Sequence, residues 1–382
     1  MPPDEPPAPG VFEALCPRPP TWSVPWADIH AAFDWVRRLD GVPQDPVHHA
    51  EGDVGTNTRM AVAALAGQAR WRRLPAAERV RLFAAVLLHD VAKAECTRVG
   101  DDGRITAPGH SRRGDLTARR VLWELDAPVA WREHVAALIR HHQVPFWAME
   151  RPDLERIALR VGLLARNSDL AVLATADLLG RRCADTTAVA DQIAMFEEYC
   201  AELGVADRPW RFASDHARFG YFRVEGRDPR YAPFDDTLAT VTVMSGLPGA
   251  GKDTWIGAHA PDQPVVSLDA LRGSLRVAPG ADQRPVAAAA FDLAVGHLRA
   301  RRSFVWNATN VSRQQRQRCI DLAARYHARV EIVAVEAPPA VLRRRNRARR
   351  SPVPDAVIDR LTRRWETPDH TEAHAVHWVD AR

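Results

Sequence analysis

One stretch decides the fold of the C-terminal part of this chain: Gly246-Leu247-Pro248-Gly249-Ala250-Gly251-Lys252-Asp253-Thr254. It follows an apolar run at 241–244 and precedes a helix-like segment that begins at Trp255. A strand, a glycine-rich turn and a helix together let backbone N–H groups bind phosphate oxygens at the helix N-terminus. Lys252 adds a positive charge for the β- and γ-phosphates. The stretch therefore predicts a P-loop that binds ATP or another nucleoside triphosphate.

The same loop indicates where Mg²⁺ would bind. Asp253 stands where Ser or Thr usually offers a hydroxyl to the ion. No carboxylate follows the predicted strand that ends near Asn307 and Asn310. We hypothesise that Asp253 supplies the missing ligand and that one of the two asparagines positions water around Mg²⁺. The predicted nucleotide-binding residues are Gly246, Gly249, Ala250, Gly251, Lys252, Asp253, Thr254 and Arg349.

Length and composition favour an intracellular protein with two domains. The chain has 382 residues, 46% of them hydrophobic, which is enough for two packed cores and connectors. Its five cysteines lack C-x-x-C spacing, which disfavours a disulfide framework or a zinc knuckle. The sequence contains no apolar run of membrane-spanning length and no signal-peptide h-region. We therefore expect a soluble cytoplasmic protein with no membrane partner.

Hydrophobic periodicity divides the chain into four segments. Residues 1–24 are proline-rich and are predicted to be irregular, and residues 25–200 are helical. Residues 201–237 read as an ordered connector, and residues 238–382 alternate strand and helix signals. The strands are predicted at 240–244, 264–268, 304–308 and 330–335. The predicted fold class is a multi-domain α and α/β protein, with an all-α bundle before a P-loop domain that contains a parallel sheet.

Two groups of charged residues suit phosphoryl transfer in the second half. Asp269 follows a predicted strand, where it could accept the proton of an attacking hydroxyl, and Arg272 could bind an acceptor phosphate. The alternative is a helix N-cap Asp with a surface Arg. Six arginines crowd into residues 343–350. Arg345 and Arg349 among them could stabilise the charge of a transferring phosphoryl group, although such a run can also be a solvated helix face.

The helical half contains histidines and aspartates that suit a metal site. His89 and Asp90 fall within a strongly apolar helical stretch at 82–93, where burying them is costly unless each has a partner. A divalent metal is the natural partner, and Lys93 lies one helical turn further, close enough to meet a phosphate. A lone histidine in a helix is usually structural, but several in one domain favour a site. The remaining ligand candidates are His49, His110, His141, His142 and Asp177.

These residues resemble the metal ligands of the HD phosphohydrolase superfamily, which run H…HD…H…HH…D along a helical bundle. His89, Asp90 and Asp177 match the HD pair and the terminal Asp, and His110, His141 and His142 match the optional second-metal set. The segment HHAEGDVGTNT at 48–58 looks like the opening of HD domains found with nucleotidyltransferases that act on tRNA ends. Asn57 departs from that pattern, because the family has a ligand histidine there. Either one metal is held loosely, or His49 or a water replaces the histidine, or the activity is reduced.

The resemblance implies a metal-dependent phosphohydrolase. One or two divalent metals of the Mn, Co, Ni, Zn or Fe type would lower the pKa of a bound water and hold phosphate oxygens. Asp90 and Asp177 would bind the metal, and Lys93 could neutralise charge on the leaving side.

Residues 343–354 look like the lid of polynucleotide 5′-kinases, with Arg345 and Arg349 at the motif's R-N-x-x-R positions and V-P after them. The two halves together resemble the bacterial HD-domain polynucleotide kinases. This resemblance implies ATP- and Mg²⁺-dependent phosphorylation of 5′-OH RNA or DNA ends, with Asp269 as general base. It also implies hydrolysis of 2′,3′-cyclic or terminal 2′- or 3′-phosphates, and a separate nucleic acid ligase as the pathway partner.

Two alternatives from other classes remain open at this point. One is a P-loop kinase of a small metabolite with an HD domain that hydrolyses nucleotides. The other is a nucleotide-sensing adaptor in which Asn57 and Asp253 mark decayed sites.

Overall fold

The computed structural model describes residues 9–278, 280–349 and 351–382. The first eight residues of the predicted irregular segment, and Arg350 of the arginine run, lie outside the described residues. The chain forms two compact units, Met1–Trp210 and Arg211–Arg382, so the boundary falls inside the predicted connector 201–237. All five cysteines are free thiols. Within the described ranges, none of the helices has both the length and the apolar character needed to cross a membrane.

The first unit is helical, as predicted. Its α-helices are α1 (Gly10–Leu15), α2 (Trp26–Ala32), α3 (Asp34–Arg37), α4 (Val54–Gly67), α5 (Ala69–Arg72), α6 (Ala76–Leu88), α7 (Lys93–Cys96), α8 (His110–Glu124), α9 (Val129–His141), α10 (Leu154–Gly162), α11 (Asn167–Leu179) and α12 (Thr186–Glu202). A 3-10 helix spans Val144–Glu150, and a short antiparallel hairpin pairs β1 (Arg98–Val99) with β2 (Ile105–Thr106).

The prediction of irregular backbone for residues 1–24 is wrong at α1. Phe12 in this helix is fully buried, and its ring stacks on that of Phe33 at 5.4 Å. Burying an aromatic ring of this size gives the short helix an anchor that its proline-rich composition does not reveal.

Helices α4, α6, α9 and α11 pack together and position the polar residues of this unit. Residues 80–88 of α6 are all buried, and all of them except Arg81 are apolar, as expected of a helix surrounded by other elements. The α-helix ends at Leu88, five residues before the predicted end at 93, and His89 and Asp90 follow it in a turn. The chain therefore places this polar pair at a helix end inside the bundle.

The second unit contains a five-stranded sheet in the order β4-β5-β3-β6-β7, in which all pairs are parallel. The predicted parallel sheet is confirmed. The strands are β3 (Ala239–Ser245), β4 (Val265–Ser267), β5 (Phe304–Asn307), β6 (Ala328–Glu336) and β7 (Ala375–Asp380), and the helices are α13 (Asp215–Arg223), α14 (Lys252–His259), α15 (Leu268–Ser274), α16 (Arg284–Arg299), α17 (Arg313–Arg325), α18 (Pro339–Arg347) and α19 (Asp355–Thr362). The sequence patterns missed β7, a half-exposed edge strand.

The core of the second unit lies between the central strands and helices α16 and α17. Val243, Phe304 and Val330 from three strands share one buried cluster with Ala290 and Ile320 from the helices. Parallel strands buried in this way read as continuous apolar runs, which explains why the pattern located β3, β5 and β6.

Helix α13, from the predicted connector, belongs to the second unit and is anchored there by His374. The ring of His374 packs on Phe219, with 4.1 Å between centroids. Its Nδ1 accepts the N–H of Val330 at 3.0 Å, so in the neutral ring Nε2 carries the proton and donates to Nδ1 of His216 at 3.1 Å. Burial, with the nearby Arg329, lowers the pKa of His374 to about 4. The ring is therefore neutral at neutral pH.

This neutral histidine predicts an acid-sensitive second unit. Below its ordinary pKa of about 6.5, His374 gains a proton in the unfolded chain but not in the folded one. Its contribution to stability is thus present above about pH 6.5 and is lost as the pH falls towards 4. We expect the urea concentration that unfolds half of the second unit to decrease as the pH is lowered from about 6.5 to about 4. Hydrogen exchange with mass spectrometry on residues 211–382 measures this midpoint.

A variant with His374→Gln should have a flatter pH profile, whereas His377→Gln, at an exposed position on β7, should keep the original one. An unchanged profile in the His374 variant would contradict this account.

Candidate functional site

The loop between β3 and α14 has a backbone that only glycine suits at two positions. Gly246 has φ 152°, and a Cβ there would lie 2.4 Å from the carbonyl oxygen of Val335. Gly249 has φ 85°, and its Cβ would lie 2.9 Å from the carbonyl oxygen of Leu342. Gly251, which has φ 110°, is the residue immediately before α14. The loop therefore curls tightly at a helix N-terminus, which is the geometry that binds phosphate.

Lys252 lies over this loop. Its Nζ donates to the carbonyl oxygens of Gly246 at 2.9 Å and Leu247 at 3.1 Å. Burial lowers its pKa to about 8, although Asp253 and Asp269 act in the opposite direction. A lysine held within the loop is placed to meet the phosphates that the loop binds.

Asp253 and Asn307 meet at the carboxyl end of the sheet. Asn307 ends β5, and its Nδ2 donates to Oδ1 of Asp253 at 2.6 Å. The other candidate, Asn310, is buried and donates to the carbonyl oxygen of Met244 at 2.9 Å. Asn307 therefore belongs to the site, and Asn310 supports the strand behind it. A carboxylate and an amide oxygen suit Mg²⁺, so these residues fit the ion that the sequence implies.

The acceptor residues are also brought together. Asp269 lies in the first turn of α15 and pairs with Arg272, and Arg349 Nη2 lies 4.0 Å from Asp269 Oδ2. The cap of α15 is Ser267, whose side chain accepts the N–H of Ala270, so the alternative of Asp269 as N-cap is wrong. Asp269 is thus an exposed carboxylate flanked by two guanidinium groups.

Arg345 has a different position from Arg349. Its Nη1 donates to the carbonyl oxygens of Ala381 at 2.7 Å and Ala250 at 3.4 Å. These bonds hold the back of the loop rather than the space near Asp269. The side chain of Asn346, next to it, bonds the backbone of Val353 in both directions and closes the lid segment, a role that the sequence reading missed.

In the first unit, Asp90, His110 and His142 form a buried group whose ligand atoms lie within 4.8 Å of one another. Nε2 of His110 is 3.4 Å from Nε2 of His142 and 3.4 Å from Oδ1 of Asp90. His110 begins α8, His142 follows α9, and Asp90 lies in the turn after α6. Three separate elements therefore converge on one point.

The histidine rings of this centre are oriented in the same way. Nδ1 of His89, His110 and His142 donates to the carbonyl oxygen three residues earlier, at 2.7, 2.8 and 2.8 Å respectively. In the neutral rings of His110 and His142, Nε2 therefore carries a lone pair directed into the centre. For His89, burial is outweighed by Asp90 and Asp177, which raise its pKa to about 10, so its Nε2 carries a proton that faces these carboxylates. Metal-binding histidines are commonly oriented by a backbone carbonyl in this way.

A second set of ligand atoms lies beside the first. Nε2 of His89 is 3.2 Å from Oδ2 of Asp90 and 3.6 Å from Oδ1 of Asp177. Among the described residues, none forms a hydrogen bond with Asn57 Oδ1, His89 Nε2 or Asp90 Oδ1, although all three atoms are buried. Buried polar atoms without partners are costly, and a divalent cation would satisfy them. The residues therefore fit the metal that the sequence pattern implies.

The amide nitrogen of Asn57 is bound by two acceptors. Its Nδ2 donates to Oε1 of Glu51 at 3.1 Å and to the carbonyl oxygen of Gly180 at 3.2 Å, which leaves Oδ1 for a ligand. His49 instead pairs with Glu51, with 2.8 Å between Nδ1 and Oε1. His141 is half-buried and lies outside the group of three.

Two cations hold the carboxylates of this centre. Lys93 Nζ lies 2.8 Å from Oδ2 of Asp90 and donates to Gln44 at 2.8 Å. Arg181 donates to both carboxylate oxygens of Asp177, at 3.0 and 2.5 Å. Arg181 was not among the predicted residues, although its i,i+4 spacing from Asp177 is a recognisable signal.

The electrostatics also suit a cation. Burial, reinforced by His110, lowers the pKa of His142 to about 3, and burial lowers the pKa of His110. Both rings are therefore neutral and able to bind a metal. For Asp90, burial is outweighed by Lys93 and His89, which hold its pKa well below the ordinary value. Asp90 remains a carboxylate.

The comparisons with known proteins match parts of this chain. A family model described as an AAA domain matches residues 241–368. Multifunctional CCA protein of Halorhodospira halophila is 41% identical over 115 residues, 30% of this chain and 25% of that protein. The proteins of the same name from Methylococcus capsulatus and Aromatoleum aromaticum are 32% and 34% identical, over 36% and 34% of this chain and 30% and 32% of theirs. The chain thus spans about a quarter to a third of the length of these curated relatives.

One solved structure, from Chloroflexus aurantiacus, is described as a candidate kinase. It is 21% identical with a TM-score of 0.31, and the match covers 38% of this chain and 86% of that one.

Fold and family match together define the class of protein. The chain has a helical N-terminal region followed by a domain with a parallel five-stranded sheet and a P-loop kinase-like fold. Such a domain binds nucleotides and implies ATP and Mg²⁺.

The geometry of the first unit predicts which of two adjacent histidines binds metal. His142→Ala removes a buried Nε2 from the centre and should weaken Mn²⁺ binding about 10- to 100-fold, measured by calorimetry on the chelator-treated protein. His141→Ala is the matched control, because its ring lies outside the group, and it should keep the original affinity. Equal losses in both variants would contradict this assignment.

Proposed function

We propose that the chain is a bifunctional enzyme that heals broken nucleic acid ends. Its second unit phosphorylates 5′-OH ends of RNA or DNA with ATP. Its first unit hydrolyses 2′,3′-cyclic phosphates or terminal 2′- or 3′-phosphates. A separate ligase then joins the healed ends.

The observation that carries the kinase half is Asp269 between Arg272 and Arg349. Asp269 accepts the proton of the 5′-hydroxyl as its oxygen attacks the γ-phosphorus, and the bond to the β–γ bridging oxygen breaks to release ADP. Lys252 and the loop bind the phosphates of ATP, and Arg349 stabilises charge near the attacked phosphorus. Arg272 suits the phosphate that follows the terminal nucleoside. A small neutral alcohol offers no such phosphate, so this arrangement favours a strand end over a metabolite.

The hydrolase half is supported by the buried group of Asp90, His110 and His142, and by buried atoms of Asn57, His89 and Asp90 that form no hydrogen bond within the described chain. Asp90 and the neutral His110 and His142 would hold a divalent metal, which would lower the pKa of a water for attack at phosphorus. The relatives named Multifunctional CCA protein agree with the resemblance of residues 48–58 to HD domains associated with tRNA-end enzymes.

Each half predicts a separate loss of activity. With labelled ATP and a 5′-OH oligonucleotide that carries a 2′,3′-cyclic phosphate, Lys252→Ala should abolish label transfer and leave end hydrolysis intact. Asp90→Ala should do the reverse. Asp269→Asn should lower the transfer rate about 10²- to 10⁴-fold, whereas Asp282→Asn, at the exposed start of α16, should not.

Loss of both activities in either single variant would contradict the two-site proposal. Label appearing only on nucleosides or sugars would favour the metabolite kinase, and label on no acceptor with tight ATP binding would favour the adaptor.

If Asp253 binds Mg²⁺, substitutions at Asp253 or at its partner Asn307 should raise the Mg²⁺ concentration that ATP binding requires. Asn307→Ala removes the bond that orients the carboxylate and should raise the Mg²⁺ concentration for half-maximal binding of a fluorescent ATP analogue about tenfold. Asp253→Ala should raise it further, and Asp262→Asn, an exposed carboxylate after α14, should leave it unchanged. An unaltered requirement in Asp253→Ala would rule out Asp253 as the ligand.

A further inference from the structure

A large cavity opens beside the metal centre of the first unit. Its volume is about 810 Å³, and its lining includes Lys93 and His110. Cavities of about 300–1,000 Å³ are typical of sites for small organic ligands and cofactors. Through His110, the centre therefore borders a space that can hold a whole nucleotide, not merely a phosphate.

The lining of the cavity is strongly basic. Its carboxylates are Asp45, Asp153 and Asp185, and its arginines are Arg104, Arg112, Arg140, Arg151, Arg160 and Arg181. Three of these arginines lie within ion-pair distance of carboxylates: Arg151 of Asp153, Arg181 of Asp177, and Arg140 of Asp115 at 3.9 Å. Six guanidinium groups against three carboxylates in the lining favour a ligand with several negative charges, as a nucleic acid backbone has.

Trp147 adds an aromatic surface to the same lining. The side chain is 50% exposed, whereas its neighbours Phe146 and Ala148 are buried. The backbone leaves the helical conformation at Trp147 (φ −131°, ψ 27°), inside the 3-10 helix Val144–Glu150. Arg181 lies over the ring of Phe146 at 4.5 Å, which ties this segment to Asp177 of the metal centre. An indole is therefore held on the cavity wall by buried residues on both sides.

We propose that this cavity binds the terminal nucleotide of a nucleic acid strand, with its base stacked on Trp147 and its end phosphate at Asp90, His110 and His142. The phosphates further along the strand face the arginines. This inference rests on the hydrolase function proposed above and names how that site recognises its substrate. Because stacking needs no hydrogen-bond pattern, the site accepts any terminal base.

The first experiment measures end hydrolysis by the full-length protein with two oligonucleotides, one with a normal terminal nucleotide and one whose terminal nucleotide lacks the base. Trp147→Ala should raise KM for the normal strand about tenfold and leave KM for the abasic strand unchanged. Trp147→Phe should restore most of the loss. Equal effects on the two strands, or none on either, would overturn the stacking role.

Met149→Ala is the matched control. Met149 is 46% exposed on the same 3-10 helix but does not line the cavity, so its removal should leave both KM values unchanged.

A comparison with a mononucleotide 2′,3′-cyclic phosphate tests whether the substrate is a strand or a free nucleotide. A hexanucleotide with the same end should have a lower KM at low salt, and the difference should shrink as salt is added. Equal KM values at low salt would instead indicate a free nucleotide as substrate.

A second measurement does not depend on hydrolysis. In protein labelled with 5-fluorotryptophan, the ¹⁹F resonance of Trp147 is assigned by its absence in Trp147→Phe. A saturating oligonucleotide with a 3′-phosphate end should shift that resonance. If the resonance moves but no end is hydrolysed with any metal, the hydrolase function fails and the binding site stands. If ends are hydrolysed and the resonance does not move, the inference fails alone.

Discussion

The first unit depends on the cost of burying charge at the end of an apolar helix. His89 and Asp90 follow α6 directly and are almost inaccessible to water. Lys93, three residues further along the chain, pairs with Asp90, and Asp177, from a distant helix, lies next to His89. A bundle in which α8, α9 and α11 all bring polar groups to this point satisfies much of that cost, and the polar atoms that remain without hydrogen bonds belong to the candidate metal centre. The packing of this unit and its candidate site therefore depend on the same residues.

Charged side chains are also buried in the second unit, but there they are paired within the protein. Arg316 is fully buried and donates to both carboxylate oxygens of Glu372 at 2.8 Å, and it also binds the carbonyl oxygens of Asn310 and Glu366. Four of the five N–H groups of Arg316 donate within the protein, so this pair holds α17 against the segment before β7. By contrast, Lys252 and Asp269 lie near the protein surface at the carboxyl ends of the strands. Arg316 and Glu372 therefore stabilise the fold, whereas Lys252 and Asp269 remain accessible to a ligand.

Spacing and residue type predicted much of each site but could not distinguish neighbours. His141 and His142 are equivalent in the sequence, yet α9 ends between them and only the second ring enters the group with Asp90. Asn307 ends β5 and Asn310 lies three residues beyond it, and only the fold shows that the first binds Asp253 and the second the backbone of Met244. Trp147 carries no motif at all. Its role depends on a local departure from helical backbone and on a cavity formed by segments far apart in the chain.

The sequence by itself determined the parallel-sheet domain, its phosphate-binding loop and the helical character of the first half. These features follow from local rules, since glycine permits the turn and apolar periodicity marks buried strands and helices. Only the tertiary structure decided which polar atoms converge, because ligand sets join elements separated by tens of residues whose approach depends on packing. Asn57 illustrates the difference: the sequence marks it as a substitution, and only the fold shows that its amide nitrogen binds Glu51 and Gly180 while its buried oxygen has no hydrogen bond among the described residues.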